Sequence, residues 1–175
     1  MNVFGLKYTV ILKYDPFETP MNSINKVETP CIGVCSTGIG DSVCRGCKRY
    51  VHEIIDWNIY TSKQRRAVTV RLQDLLSQVV SAKVEVTDRE RLLTHLRRQQ
   101  IYHDEDQSSQ ALAYALLRVG ASQIKDTRRF GFTVNQQYKY DSLVSFKRQI
   151  DDDFYTLSCA YYERFIELRC LMKAE

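Results

Sequence analysis

Pro30-Cys31-Ile32-Gly33-Val34-Cys35, followed after an eight-residue loop by Cys44-Arg45-Gly46-Cys47-Lys48-Arg49, is the stretch from which the rest of the chain is read. Its four cysteines fall within 17 residues in the spacing C-x3-C-x8-C-x2-C. Metal ligation requires thiolates to converge on one point, so the chain must turn sharply between near neighbours. Gly33 and Gly46 lie inside the two pairs, and Gly38 and Gly40 lie in the connecting loop, where glycine enters positive φ without steric cost. Two such pairs in a polar segment point to one metal centre bound by Cys31, Cys35, Cys44 and Cys47. Tetrahedral sulfur suits zinc and an iron–sulfur cluster alike, and both leave the same formal charge on a four-thiolate site, so charge does not choose between them. Arg45, Lys48 and Arg49, within or just after the second pair, offset that charge, and turn amides donate to the sulfurs.

Outward from the cysteines the pattern turns helical. About ten residues after Arg49 hold the apolar Ile54, Ile55 and Trp57. Thr61-Ser62-Lys63-Gln64 is a capping box, and Val68, Leu72, Leu75, Leu76 and Val79 mark one face of an amphipathic helix to about residue 80. Lys83–Val86 alternates like a short strand. Thr87-Asp88-Arg89-Glu90 reads as a second capping box, before a helix that faces Leu92, Leu93 and Leu96 inward. A third helix runs from about Ser109 with Leu112, Ala113, Leu116 and Leu117 inside and Gly120 as its stop. Phe130 to Val134 looks extended. Asp151-Asp152-Asp153 places three carboxylates where a helix N-terminus favours them, and a last helix carries Phe154, Leu157, Tyr161, Phe165 and Leu168 to near Lys173.

The expected fold is therefore mostly α: a small four-cysteine metal knuckle over 28–80 with its following helices, then a helical domain over 81–175 with one or two short strands. Residues 1–27 form an N-terminal extension. Its alternating Leu6, Tyr8, Val10 and Leu12 suit an edge strand, while Met21 is a second candidate start that would leave the first twenty residues untranslated. Cys159 and Cys170 lie in the last helix, too far apart along it for a mutual disulfide, and read as small buried hydrophobes.

The ordered set Thr29-Pro30-Cys31-Ile32-Gly33-Val34-Cys35, Cys44-Arg45-Gly46-Cys47-Lys48-Arg49, Glu53-Ile54, Trp57 and Arg65-Arg66-Ala67-Val68 resembles the bacterial domain-of-unknown-function family 1289, across about residues 28–72. Its members are small proteins often labelled predicted iron–sulfur proteins. The resemblance thus implies a cluster, and it brings no activity with it. Tyr50 stands where the family has a threonine whose hydroxyl would cap the next helix with Glu53 as its partner. That loss would cost on the order of 1 kcal/mol. His52 also departs from the pattern and is not taken as a ligand.

Composition narrows the function classes. The chain has 175 residues, 44% hydrophobic and 26% charged, which are globular values. No stretch approaches a membrane span and the apolar run Val3 to Leu12 lacks the features of a secretory signal, so a cytoplasmic setting is expected, where thiols stay reduced and the six cysteines need an account other than disulfides. Between Cys44 and Leu76, seven basic residues face three acidic ones, equal to the whole chain's excess of +4. With Arg65 and Arg66 as candidate phosphate contacts, that segment makes a nucleic-acid adaptor one alternative. An iron–sulfur electron carrier or redox sensor is the other. Catalysis has little support: His52, His95 and His103 are scattered, no phosphate-binding glycine loop is present, and a filled four-thiolate site has no open position. The reading is a non-enzymatic metal protein whose helices present a surface to a protein partner.

Overall fold

A computed structural model describes residues 29–138 and 142–171 of the chain, with side chains described through residue 166. The strand expected in the N-terminal extension, the Met21 question and Cys170 lie outside that description. Five α-helices and one two-stranded sheet make the described residues mostly α. They follow the order α1 (Val51–Ile55), α2 (Ser62–Ser81), β1 (Val84–Val86), α3 (Arg89–Arg98), α4 (Ser109–Gly120), β2 (Phe132–Val134) and α5 (Leu143–Leu171). No helix among the described residues is long and apolar enough to cross a membrane.

Helix α2 begins where its capping box requires. The Thr61 hydroxyl accepts from the Gln64 amide at 3.3 Å, and the Gln64 side chain takes the Thr61 amide at 2.9 Å. Its buried face, Val68, Leu72, Leu75, Val79 and Val80, packs against α4 and α5. Helix α4 answers with Leu112, Ala113, Leu116 and Leu117, all buried, behind an N-cap in which Ser108 accepts from the Ala111 amide. Leu92 and Leu96 of α3, Phe132 of β2, and Phe146 and Ile150 of α5 complete one apolar core. The residue-80 boundary lies at the end of α2, whose buried face is shared with α3, α4 and α5 through that core.

Strands β1 and β2 pair antiparallel, Val84 opposite Val134 and Val86 opposite Phe132. Phe130, expected in the strand, instead ends a 3-10 turn over Thr127–Phe130 that Gly131 terminates at φ 87°. A side chain there would meet the Asp88 carbonyl at 2.2 Å, so glycine is required for the approach. The Gly131 carbonyl in turn accepts the amides of Thr87 and Asp88. This tether shifts the start of α3: Asp88 rather than Thr87 is the cap, accepting the Arg91 amide at 2.9 Å.

The largest departure is the acidic run. Helix α5 starts at Leu143, so Asp151, Asp152 and Asp153 lie two turns inside it rather than at its N-terminus. Ser142 and Ser145 exchange side-chain-to-amide bonds at 3.2 Å and cap the helix earlier, while Phe146 and Ile150 bury its first face. The acids serve another purpose. Asp151 pairs with Lys48 of the cysteine segment, and Asp153 takes Lys83 at 2.9 Å just before β1.

Candidate metal centre

Cys44 to Cys47 occupy a tight turn closed by its own backbone. Cys44 donates its amide to the Arg49 carbonyl at 2.9 Å, Lys48 returns an amide to the Cys44 carbonyl at 2.8 Å, and Val43 bridges Tyr50. Lys48 adopts φ 60° to complete the reversal, a conformation costly for a side-chain-bearing residue. Its side chain is repaid by burial: the ammonium reaches Asp151 of α5 at 2.5 Å and the Gly46 carbonyl at 3.3 Å. Arg49 is buried too, donating to the Cys47 sulfur at 3.4 Å with its guanidinium 4.7 Å above the Trp57 ring. Trp57 is part of the core, so the turn sits on the helical body.

The first cysteine pair lies across this turn. A side chain on Gly46 would stand 2.4 Å from the Val34 carbonyl and 3.1 Å from Ile32, so only glycine admits the crossing. The Cys44 thiol faces the Val34 carbonyl at 3.6 Å, and the Arg45 amide donates to the buried Ser36 hydroxyl at 2.9 Å. Within the segment, Gly33 at φ 85° aims its amide at the Cys31 sulfur at 3.4 Å, and Cys35 contacts the Thr37 hydroxyl at 3.1 Å.

The electrostatics of the buried pair are split. Burial pushes the Cys44 thiol up, but the amides of Cys47, Ser36 and Gly46, with the Cys47 thiol, outweigh it and bring the group down to about 7. Burial dominates at Cys47 and raises its thiol despite Arg49. The turn therefore favours a thiolate at Cys44, the ionisation state a metal ligand needs. Among the described residues, no three Cys, His, Asp or Glu side chains meet closely enough to hold a metal ion. Cys44 and Cys47 are together and buried; Cys31 and Cys35 lie on the crossing segment and are exposed. Amides from both segments, Ser36 on one side and Gly46 and Cys47 on the other, are directed at the Cys44 sulfur.

The basic candidates divide. Lys48 and Arg49 are structural and buried. Arg45 is exposed, pairs with Asp41 at 2.9 Å and lies 4.7 Å over the Tyr155 ring. Arg65 closes the chain after α1, donating to the Trp57 and Asn58 carbonyls at 3.0 and 3.1 Å. Arg66 is exposed on α2.

Sequence reading missed two participants in these roles. Asp151 lies a hundred residues from Lys48, and Tyr114, whose hydroxyl donates to Asp151 at 3.1 Å, gives no local signal. Glu53 reaches back to the Tyr50 amide at 2.9 Å as the family pattern implies, and it also binds Arg71 at 2.7 Å. Tyr50, which forfeits the threonine cap, stacks under Arg71 at 3.9 Å and beside Tyr162 and Phe165 of α5. Cys159, expected in the core, is half-buried beside Tyr155.

No curated protein and no solved structure matches the chain. Residues 29–76, from the first cysteine pair through most of α2, match the family described as protein of unknown function DUF1289, the same family and segment that the cysteine, Glu53-Ile54, Trp57 and Arg65-Arg66 motifs resemble.

Proposed function

We propose that this is a non-enzymatic, cytoplasmic metal-binding protein in which Cys31, Cys35, Cys44 and Cys47 hold one metal centre, zinc or an iron–sulfur cluster, and the helical body presents an interaction or regulatory surface to a protein partner. One observation carries the reading: the two cysteine segments cross at Gly46, where the Cys44 thiol faces the Val34 carbonyl at 3.6 Å and the Arg45 amide donates to Ser36 at 2.9 Å, so the chain lays the two pairs alongside one another. Bound there, the centre would supply a cross-link between segments that few other contacts join. Cys44 and Cys47 hold the side nearer the body. Cys31 and Cys35 approach from the crossing segment, and Gly46 keeps the two close. Four sulfur ligands leave no position for substrate or activated water, which supports a non-catalytic role.

The way the chain uses its basic residues weighs against the nucleic-acid reading. Of the seven bases between Cys44 and Leu76, Lys48 and Arg49 are buried, Arg65 is spent on carbonyls, and Arg71 is spent on Glu53. Phosphate binding by counterion release needs free, clustered cations.

Anaerobic purification of the full chain, with metal analysis and a visible spectrum, tests the proposal. Stoichiometric zinc in a colourless protein, or iron and sulfide with absorption near roughly 400 nm, is the expected result, lost in Cys44→Ser/Cys47→Ser. A metal-free chain whose fold is indifferent to chelators overturns it.

A further inference from the structure

The two halves of the cysteine site are held very differently. Cys44 is 1% exposed, and its turn is fastened to the body at several points. Lys48 reaches Asp151 on α5, which Tyr114 of α4 also binds, and Arg49 lies on Trp57. Glu53, three residues past the bridge from Val43 to Tyr50, is joined to Arg71 of α2. Opening this half would strand the Lys48 ammonium, 2% exposed, away from its carboxylate, at a large desolvation cost.

The other half has no comparable anchor. Cys31 and Cys35 are exposed, and so are Ile32 and Val34 between them. Among the described residues, no backbone-to-backbone hydrogen bond ties residues 29–35 to the rest of the chain. The Cys31 and Gly33 amides spend their bonds inside the segment, on Thr29 and Cys31. Its links to the turn are the close passage of Ile32 and Val34 over Gly46 and the long Cys44 thiol contact to the Val34 carbonyl, in which sulfur is a weak donor. The first firm attachment comes at Ser36, buried and bonded to the Arg45 amide, where a 3-10 turn over Thr37–Ile39 begins. Segments with few buried contacts and few backbone bonds open at low free energy, well below global unfolding.

We propose that residues 29–35 form a strap that pivots at Ser36, so that a metal ion enters and leaves through Cys31 and Cys35 while Cys44 and Cys47 remain its fixed seat. This rests on the metal-binding reading above and adds to it a direction of loading. An incoming thiol or chelator would take the places of Cys31 and Cys35 first, with the Cys44–Cys47 turn still docked on α5.

The test uses the full chain reconstituted with zinc. Substoichiometric chelator is added, the sample is pulsed with a small maleimide, and labelling is read at each cysteine by peptide mass spectrometry. Cys31 and Cys35 should label first, about tenfold ahead of Cys44 and Cys47. Cys31→Ser/Cys35→Ser should keep weakened zinc binding and native Trp57 fluorescence, whereas Cys44→Ser/Cys47→Ser loses both. Equal labelling of all four thiols, or Cys44 and Cys47 labelling first, overturns the strap while leaving metal binding intact. A chain that takes up no zinc overturns both.

Discussion

The cysteine segment and the helical body solve the same problem with different materials. The body is joined by apolar contact: Leu92, Leu96, Leu112, Leu117, Phe146 and Ile150 are fully buried and none carries a polar atom in its side chain. The cysteine segment is joined to that body by charge and aromatic faces: Lys48 on Asp151, Arg71 on Glu53, Arg49 on Trp57 and Arg71 on Tyr50. Apolar burial is non-directional and tolerates rearrangement, whereas a buried ion pair holds only in one geometry and penalises the loss of either partner. The body thus gains bulk stability, and the segment gains a fixed orientation of one cysteine turn.

Substitutions that separate the two modes should have graded effects. Leu112→Ala removes a fully buried side chain at the centre of the body, and denaturant unfolding should show a loss of about 2–5 kcal/mol. Asp151→Asn removes the partner of buried Lys48. The loss should be about 2 kcal/mol, less than for a fully buried pair because Asp151 keeps a third of its exposure.

The same variant carries a pH signature. Burial pushes the Asp151 carboxyl up, but the Lys48 ammonium, with Tyr114 and Lys147, more than reverses this and lowers it below the usual carboxylate range. A lowered folded value contributes stability that is complete above the unfolded pKa of about 4 and is lost as pH falls through the folded one. Stability measured from pH 6 downward should therefore fall more steeply below about pH 4 in the native chain than in Asp151→Asn. Proton competition for the cysteines is common to both proteins and cancels in the difference.

Gly46→Ala tests the crossing of the two cysteine segments. Its methyl group would meet a backbone carbonyl, so about 1–3 kcal/mol of strain is expected, read as a lower midpoint in denaturant unfolding with little change in far-UV circular dichroism. The smallest effect belongs to Thr61→Ala, which removes the α2 cap and should cost about 1 kcal/mol in denaturant unfolding.

Much of this was legible in the chain. The capping box at Thr61, the inward faces of α2, α3 and α4 and the strand at Val84 follow from local patterning, because one hydrogen bond or one helical face decides each. The start of α5 was misread because Asp151-Asp152-Asp153 has the charge expected at an N-terminus, while the actual cap is a modest pair of serines. Thr87 lost its capping role to Asp88 because Gly131, more than forty residues away, holds both amides. Of the apolar residues that follow Arg49, Trp57 is buried while Ile55 is 73% exposed, a split that a five-residue α1 is too short to signal by periodicity.

By itself, then, the amino-acid order determined the helical class and the four clustered thiols, since periodicity and spacing act over a few residues. It also carried the family motifs. Only the tertiary structure decided that two of those thiols are buried and two exposed. Likewise, only packing showed that Lys48 and Arg49 turn inward and that mid-helix carboxylates receive lysines from distant loops. Those outcomes depend on which charges meet when α5 closes over the turn, and the balance of desolvation against pairing exists only once that contact is made.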